Sequence, residues 1–192
     1  MKQVFFFAVL FIAATGATRA QLVLKPAVGI NLTDFSKNPG SGEYQSKVGY
    51  QVGGSVSFGQ MIYIEPGLFF VKKSTEYVQE NTSQQDVKFD VSGIRIPLTV
   101  GVNLLGGQHA PIGLRAFGGA SAFLLTDIKD LDTDDFKSAN WGVFTGAELN
   151  ISLFFMEFQY EWSLTNMQKN VSQVDVGKSR SLFINAGVWI PL

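Results

Sequence analysis

The chain has 192 residues, enough for one domain, and 16% of them are charged, against roughly 25% in an ordinary soluble protein. The net charge of -1 provides no basic field for nucleic acid, and the lack of cysteine excludes disulfides, thiolate metal sites and cysteine nucleophiles. With 46% hydrophobic residues the chain is also too apolar to be a disordered protein.

The N-terminal segment has the parts of a secretory signal. A lysine precedes an apolar run, Val4–Ala14, and Thr18–Ala20 fits a cleavage site before Gln21. The apolar run is too short to cross a bilayer as a helix, which needs about 20 residues. We therefore expect residues 1–20 to be a signal peptide that exports the chain across the inner membrane. Residues 21–192 then form one domain outside the cytoplasm.

Beyond this segment the dominant hydrophobic period is two, which indicates β-strands with one apolar and one polar face. In Phe154–Leu164, for example, every even-numbered residue is apolar. Each strand has about ten residues, and a tilted strand needs about 9–11 to cross a bilayer. Eight such segments follow in chain order: residues 22–31, 50–58, 62–70, 94–104, 112–124, 140–149, 154–164 and 182–192.

The connections between these strands alternate in length. This alternation is typical of an outer-membrane barrel, with short periplasmic turns and longer external loops. The predicted fold is all-β, an eight-stranded antiparallel up-and-down transmembrane β-barrel. Pro66 and Pro97 lack the backbone N–H of a strand residue, so we expect bulges or local breaks there. The long connections are 33–47, 74–86, 126–137 and 165–178, and the short ones are 59–61, 105–111 and 150–153.

Alternation alone does not say which face points outward, because a soluble lipocalin-type barrel alternates with its apolar face inside. The polar face here is rich in Gly, Ser, Asn and Gln and poor in Lys, which favours a crowded interior over a solvated surface. Tyr50, Trp141 and Trp162 lie near strand ends on the apolar face, as expected of interfacial aromatic girdles. We therefore expect the apolar face to contact outer-membrane lipid.

Several short motifs carry a family resemblance: Lys25–Asn31, Glu65–Lys73, Ile96–Leu98, Tyr160–Asn166 and Gly187–Trp189. On these motifs the chain resembles the small outer-membrane β-barrel family of Bacteroidetes, often labelled porin-family or PorT-like proteins. Arg95 departs from the family, which usually has an acidic residue close before the Ile-Pro of the fourth strand. The resemblance implies a barrel in the outer membrane but does not fix an activity.

The polar face carries seven charged side chains that we expect inside the barrel. An eight-stranded barrel is just wide enough for side chains to fill, and a buried carboxylate needs a basic partner. Structural ion pairing is therefore the preferred interpretation. A polar conduit or ligand site, and an acid–base pair of Glu157 and Glu161, are the functional alternatives. The seven residues are Lys25, Glu65, Arg95, Arg115, Glu148, Glu157 and Glu161.

The remaining motifs do not support catalysis or metal binding. Asp130, Asp132 and Asp134 begin like a calcium loop, but Asp135 stands where a glycine is needed and Trp141 where a glutamate is needed. We interpret this segment as a solvated acidic loop.

The single histidine, His109, cannot by itself form a typical zinc site. Three glycine pairs, at 53–54, 106–107 and 118–119, lack the following helix of a phosphate-binding loop, so we interpret them as places where the barrel packs closely, turns or bends. We expect no catalytic residue, cofactor or metal.

The predicted function is a structural or interaction role in the outer membrane: an envelope scaffold, an adhesion surface, or an accessory to a secretion or transport machine. The alternatives are a narrow channel or small-ligand-binding barrel, a soluble lipocalin-like binding barrel, and a lipid-modifying envelope enzyme. The expected partners are outer-membrane lipid, the barrel-assembly machinery, and envelope proteins reached through the long loops, but not nucleic acid.

Overall fold

The computed structural model describes residues 22–35, 42–46, 48–79, 87–106, 111–128, 139–165 and 179–192. Within these ranges no helix is long and apolar enough to cross a membrane. The described residues form ten β-strands: β1 (Leu22–Phe35), β2 (Gly42–Ser46), β3 (Val48–Gly59), β4 (Ile62–Gln79), β5 (Val87–Leu105), β6 (Ile112–Ile128), β7 (Ala139–Ile151), β8 (Phe154–Ser163), β9 (Ser179–Val188) and β10 (Ile190–Pro191).

These strands build a closed, eight-stranded antiparallel β-barrel, which confirms the predicted fold. The eight long strands pair in the order β1-β3-β4-β5-β6-β7-β8-β9, and β9 returns to pair with β1. The short strand β10 pairs with β1 beyond the end of β9. Because the barrel is closed, its wall has no free edge, as hydrocarbon requires.

β2 is best described as the continuation of β3 beyond residue 47. Both strands run antiparallel to β4, with Tyr50 opposite Lys72 in β3 and Ser46 opposite Thr75 in β2. The register therefore shifts by one residue between them, which is the signature of a bulge. We call the end of the barrel that carries the 59–61 and 151–153 connections the short-turn end, and the opposite end the loop end.

The apolar face of the wall points outward and the polar face inward, as predicted. On β8, Phe158 is 47% exposed while its neighbour Gln159 is 3% exposed. Tyr50, Trp141 and Trp162 all lie on the outer face. The lipocalin-like alternative is therefore wrong, because that arrangement needs the apolar face inside.

The strands are longer than the sequence predicted. β4, β5 and β6 have 18, 19 and 17 residues, although about ten were expected. They continue into predicted loops, and the predicted 33–47 loop contains both the end of β1 and all of β2. Bilayer thickness limits only the apolar part of a strand, and a polar strand can continue its hydrogen-bond ladder in water beyond it.

The prolines interrupt the ladder, as expected. The β4–β5 pairing stops at Pro66↔Leu98 and resumes at Phe69↔Arg95, so the positions around Pro66 and Pro97 are skipped. A third break lies beside Pro26 in the seam where the barrel closes. There the β1–β9 pairing ends at Ala27↔Gly187, and the β1–β10 pairing starts at Leu24↔Ile190.

Aromatic rings fill the narrow interior by lying over glycines on the adjacent strand. A Cβ added to Gly101 would stand 2.3 Å from Cζ of Tyr63, and one added to Gly146 would stand 2.4 Å from Cζ of Phe117. Glycine at these positions therefore provides the space that each ring occupies. The directly opposed pairs are Gly53–Phe69, Gly101–Tyr63, Gly119–Phe144, Gly146–Phe117 and Gly187–Phe155.

Candidate functional site

The structure places all seven predicted charged residues on the inner face of the wall. They come from six strands: Lys25 on β1, Glu65 on β4, Arg95 on β5, Arg115 on β6, Glu148 on β7, and Glu157 with Glu161 on β8. Six of them are at most 6% exposed, and Glu157 is partly exposed inside the barrel. The period-two pattern orients each side chain, and closure of the sheet brings the strands together.

Four of these residues form one cluster toward the short-turn end, which we call the lower cluster: Lys25, Glu65, Arg115 and Glu148. Nζ of Lys25 lies 2.8 Å from Oε1 of Glu65 and 2.5 Å from Oε2 of Glu148. Nη1 of Arg115 lies 3.1 Å from Oε1 of Glu148 and 3.5 Å from Oε2 of Glu65. Each cation therefore contacts both carboxylates, so the four charges compensate one another.

Neutral side chains complete the hydrogen bonding of the lower cluster. The Ser55 hydroxyl donates to Glu65 at 2.6 Å, and Arg115 donates to Oγ of Ser57 at 3.0 Å and to Oδ1 of Asn103 at 2.9 Å. A buried ion pair is favourable only when such additional bonds satisfy its remaining polar atoms. This arrangement is that of a structural core.

A second pair, which we call the upper pair, lies nearer the loop end. Arg95 donates from Nε at 2.9 Å and from Nη2 at 2.6 Å to the same oxygen of Glu161. Ser121 donates to that oxygen as well, at 2.8 Å. The upper pair therefore joins β5, β6 and β8 across the interior.

The interior cations also lie over aromatic rings. The guanidinium of Arg115 is 3.4 Å from the ring centroid of Tyr63 and 5.2 Å from that of Trp189. A cation over a ring face is attracted by the ring quadrupole. The other contacts are Lys25 with Phe155 at 4.6 Å, and Arg95 with Phe183 at 4.7 Å and Phe144 at 5.2 Å.

Among the described residues, one further interior cation, Lys73 on β4, was not among the seven predicted charges. It is 5% exposed, and its Nζ lies 5.0 Å from the ring centroid of Phe123 and 5.8 Å from that of Phe183. Because Lys72 and Lys73 are adjacent, one must face inward and the other outward. Extending the period of two by one step past the buried Val71 would have identified Lys73 as the inward one.

Side chains occupy most of the lumen. Tyr63 and Trp189, 1% and 5% exposed, both lie close to the Arg115 guanidinium at the short-turn end. A cavity of about 20 Å³ lies between the lower cluster and the upper pair. A cavity needs about 10–15 Å³ to hold one water, so this one has room for a single small occupant. Its lining includes Glu65, Arg95, Thr99, Glu157 and Gln159.

Glu157 and Glu161, the candidate acid–base pair, have separate partners. Glu161 is held by Arg95 and Ser121, while Glu157 accepts a hydrogen bond of 2.8 Å from Nδ2 of Asn185. Across the residues that the structure describes, no group of three or more acidic or histidine side chains is arranged to hold a metal ion. His109 and the Asp130–Asp135 segment lie outside the described residues.

Sequence comparison agrees with this architecture. A family model for the outer membrane protein beta-barrel domain matches residues 18–169. The chain belongs to this family. It is therefore an outer-membrane β-barrel protein, whose polar interior and apolar exterior suit that membrane. No curated protein sequence matches the chain significantly.

The chain is similar to several solved structures, and the first of them shows the same fold. The outer membrane protein OprG from Pseudomonas aeruginosa aligns over 92% of this chain and 97% of its own, with a TM-score of 0.51 and 11% identity. The N-terminal β-barrel domain of Pseudomonas aeruginosa OprF covers 90% of this chain and 100% of its own, with a TM-score of 0.45 and 11% identity. Ail, the attachment invasion locus protein of Yersinia pestis, solved with the heparin analogue sucrose octasulfate, covers 89% and 99%, with a TM-score of 0.44 and 12% identity.

Proposed function

We propose that this outer membrane protein beta-barrel domain is a structural or interaction protein, a closed scaffold that presents its loop end to partners. The observation that carries this proposal is the filled lumen. The lower cluster, the upper pair and the interior rings occupy the space through which a solute would pass.

A conducting path through this interior would have to disrupt well-satisfied contacts. It would cross the contacts of Arg115 with the Tyr63 and Trp189 rings, then the four-charge lower cluster, then the upper pair. Removing one partner of a buried ion pair costs about 3–5 kcal/mol. Wide aqueous pores need about 16 or more strands. The channel alternative is therefore disfavoured.

Planar-bilayer recording tests this proposal. The refolded wild-type protein should give no steady conductance. The matched control is Tyr63→Ala/Trp189→Ala, which removes the two rings at the short-turn end and should show intermittent conductance if it inserts. An unboiled gel establishes that both proteins are folded. Steady conductance of the wild type would favour the narrow-channel function instead.

We propose further that the loop end faces the outside of the cell and contacts envelope partners there. The chain has no cysteine, so a single introduced cysteine can be labelled against a clean background. Thr126 at the loop end and Gln60 at the short-turn end are both exposed. A membrane-impermeant maleimide should label Thr126→Cys in intact cells, and should label Gln60→Cys only after lysis. The reverse pattern would contradict this orientation.

The affiliation with the PorT-like proteins of Bacteroidetes is also a proposal. It is supported by two of the motifs, Lys25–Asn31 and Glu65–Lys73, because each contributes one partner of the Lys25–Glu65 ion pair. In an alignment of homologues, the residues at positions 25 and 65 should then change together. Independent variation at these positions would count against the affiliation.

We also propose that the segment 1–20 is removed as a signal peptide. It lies outside the described residues, and the proposal is supported by its charge, apolar run and small residues. N-terminal sequencing of the protein from membranes should begin at Gln21, and detection of the uncleaved segment there would contradict removal.

A further inference from the structure

The connections at the short-turn end carry exposed apolar side chains. We call Met61, Leu105 and Leu153, one from each of the connections 59–61, 105–111 and 151–153, the apolar tips. They are 77%, 65% and 55% exposed. Turns in proteins usually consist of Gly, Pro, Asn, Asp or Ser, which suit a solvated loop. Within the described part of these three connections no residue is charged. The composition of this end is therefore unusual for turns that project into water.

Two local distortions of the backbone leave a leucine exposed at its tip. In the β5–β6 pairing the register shifts between Asn103 and Leu105. Strict alternation would put Leu105 on the inner face with Asn103, but beyond this bulge Leu104 and Leu105 are both exposed. Leu153 follows Ser152, whose φ of 56° lies in the left-handed region that is uncommon for residues other than glycine.

The apolar tips continue the lipid-facing surface of the barrel. Each tip is adjacent in sequence to an exposed apolar residue of the outer face: Ile62, Leu104 and Phe154, respectively. Among the outer-face side chains that the structure describes, the charged ones are Lys72 and Arg180, both toward the loop end. The outer face therefore has a polar boundary at the loop end, and the described residues provide none at the short-turn end.

The length of the strands places the tips at the edge of the hydrocarbon. A tilted strand crosses the bilayer in about ten residues. Counted along β4 from Lys72, this length ends at Ile62, next to the first tip. Counted along β8 from Trp162, which pairs opposite Arg180, it ends at Ser152, next to another tip. The apolar band therefore uses each of these strands down to its turn, and no polar stretch remains to carry the tip into water.

We propose that the apolar tips insert into the acyl-chain region of the nearer membrane leaflet, so that lipid covers the short turns. Continuity with the lipid-facing surface favours lipid over a protein partner, because a protein interface usually surrounds its apolar core with a polar rim. The neighbouring Gln60 is exposed as well, and at this depth its polar side chain reaches the hydrated headgroups. The inference holds for either orientation of the barrel in the membrane. Taken with the proposed function, it leaves the loop end as the surface for soluble partners.

Hydroxyl-radical footprinting of the wild type tests this inference without any variant. The protein is refolded into lipid nanodiscs with a single barrel in each disc. Radicals formed in water oxidise the methionine thioethers that water reaches. Met61, on a tip, and Met156, on the outer face of β8, are the paired probes. Met61 should be as well protected as Met156, although it is the more exposed of the two on the protein, and both should be oxidised in the urea-unfolded chain. Oxidation of Met61 while Met156 stays protected would overturn the proposal.

Spin labelling in the same nanodiscs distinguishes lipid from protein as the cover. Since the chain has no cysteine, Leu153→Cys carries a single nitroxide, and Thr126→Cys at the exposed loop end is the control. An unboiled gel establishes that both variants are folded. Molecular oxygen concentrates in hydrocarbon, whereas a nickel chelate stays in water. The label at position 153 should therefore be relaxed mainly by oxygen, and the label at position 126 mainly by nickel. Relaxation mainly by nickel at position 153 would place the turn in water, and weak relaxation by both reagents would place it under protein; either result overturns the proposal.

Discussion

Replacing Gly101 by alanine should destabilise the barrel, because the new methyl group collides with a ring that has no room to move. The added Cβ would stand 2.3 Å from Cζ and 2.4 Å from Oη of Tyr63, whereas ordinary contacts begin at 3.4 Å. The ring must therefore shift by about 1 Å. Tyr63 is 1% exposed, and the Arg115 guanidinium lies 3.4 Å from its centroid on one face.

Overpacking of this kind costs about 1–3 kcal/mol. The loss of backbone freedom in the unfolded chain offsets about 0.4–1 kcal/mol of that cost. The free energy of unfolding of Gly101→Ala should therefore fall by about 1–2 kcal/mol. The assay is urea unfolding in detergent micelles, with the folded fraction read from the unboiled gel or from tryptophan fluorescence.

Gly113→Ala is the matched control. Gly113 on β6 also faces the barrel interior, but an added Cβ there would meet nothing closer than 3.4 Å. Its unfolding free energy should stay within about 0.5 kcal/mol of the wild type or rise. Equal losses at Gly101 and Gly113 would refute the ring-clash argument. So would an unchanged cost of Gly101→Ala after Tyr63→Leu, which removes the colliding atoms.

Three further outcomes are expected. Lys25→Met leaves two buried carboxylates short of a cation, so the free energy of unfolding from urea titration should fall by about 3–5 kcal/mol. Adding Glu148→Gln should recover part of this loss, and additive losses in the double variant would contradict the ion-pair network. Phe158→Arg and Val100→Arg, both on the outer face, should each cost about 2–4 kcal/mol and block membrane assembly in cell fractionation; normal assembly would place these residues away from lipid. Trp189→Phe keeps an aromatic ring beside Arg115 and removes a buried N–H without a described partner, so the urea midpoint should not fall. A clearly lower midpoint would show that the indole N–H has a hydrogen-bond partner.

The inward and outward faces of the strands could be predicted because an alternating pattern allows only two orientations. The composition of the polar face favoured the orientation with polar residues inside. Once Lys25 and Glu65 were assigned to the polar face, their inward position followed from parity alone. Their pairing did not, because it depends on how far each strand is staggered against the next. Glu157 and Glu161 lie on the same face of β8, yet within the described ranges only Glu161 forms an ion pair with an arginine.

The extent of the strands was predicted less well than their faces. The strands were predicted from the apolar alternation of the lipid-facing side, which does not continue along β4 to Gln79. In the β5 extension from Val87 the alternation continues, but with apolar residues on the opposite parity, so the predicted strand began only at Ile94. Close packing was predicted at the glycine pairs 53–54 and 118–119, but the ring that each glycine accommodates was not. A glycine such as Gly146 is matched to its ring only by the cross-strand register, which places it opposite Phe117.

The break beside Pro26 bears on how the chain avoids aggregation during synthesis. β1 emerges first of the described strands, but the strands that close its second side, β9 and β10, are the last. Such distant partners meet slowly, so β1 presents an open edge to other nascent chains in the meantime. A proline in that edge removes one backbone N–H with which a strand of a neighbouring chain would pair. The interruption that weakens the finished seam therefore acts as a gatekeeper while the barrel is still open.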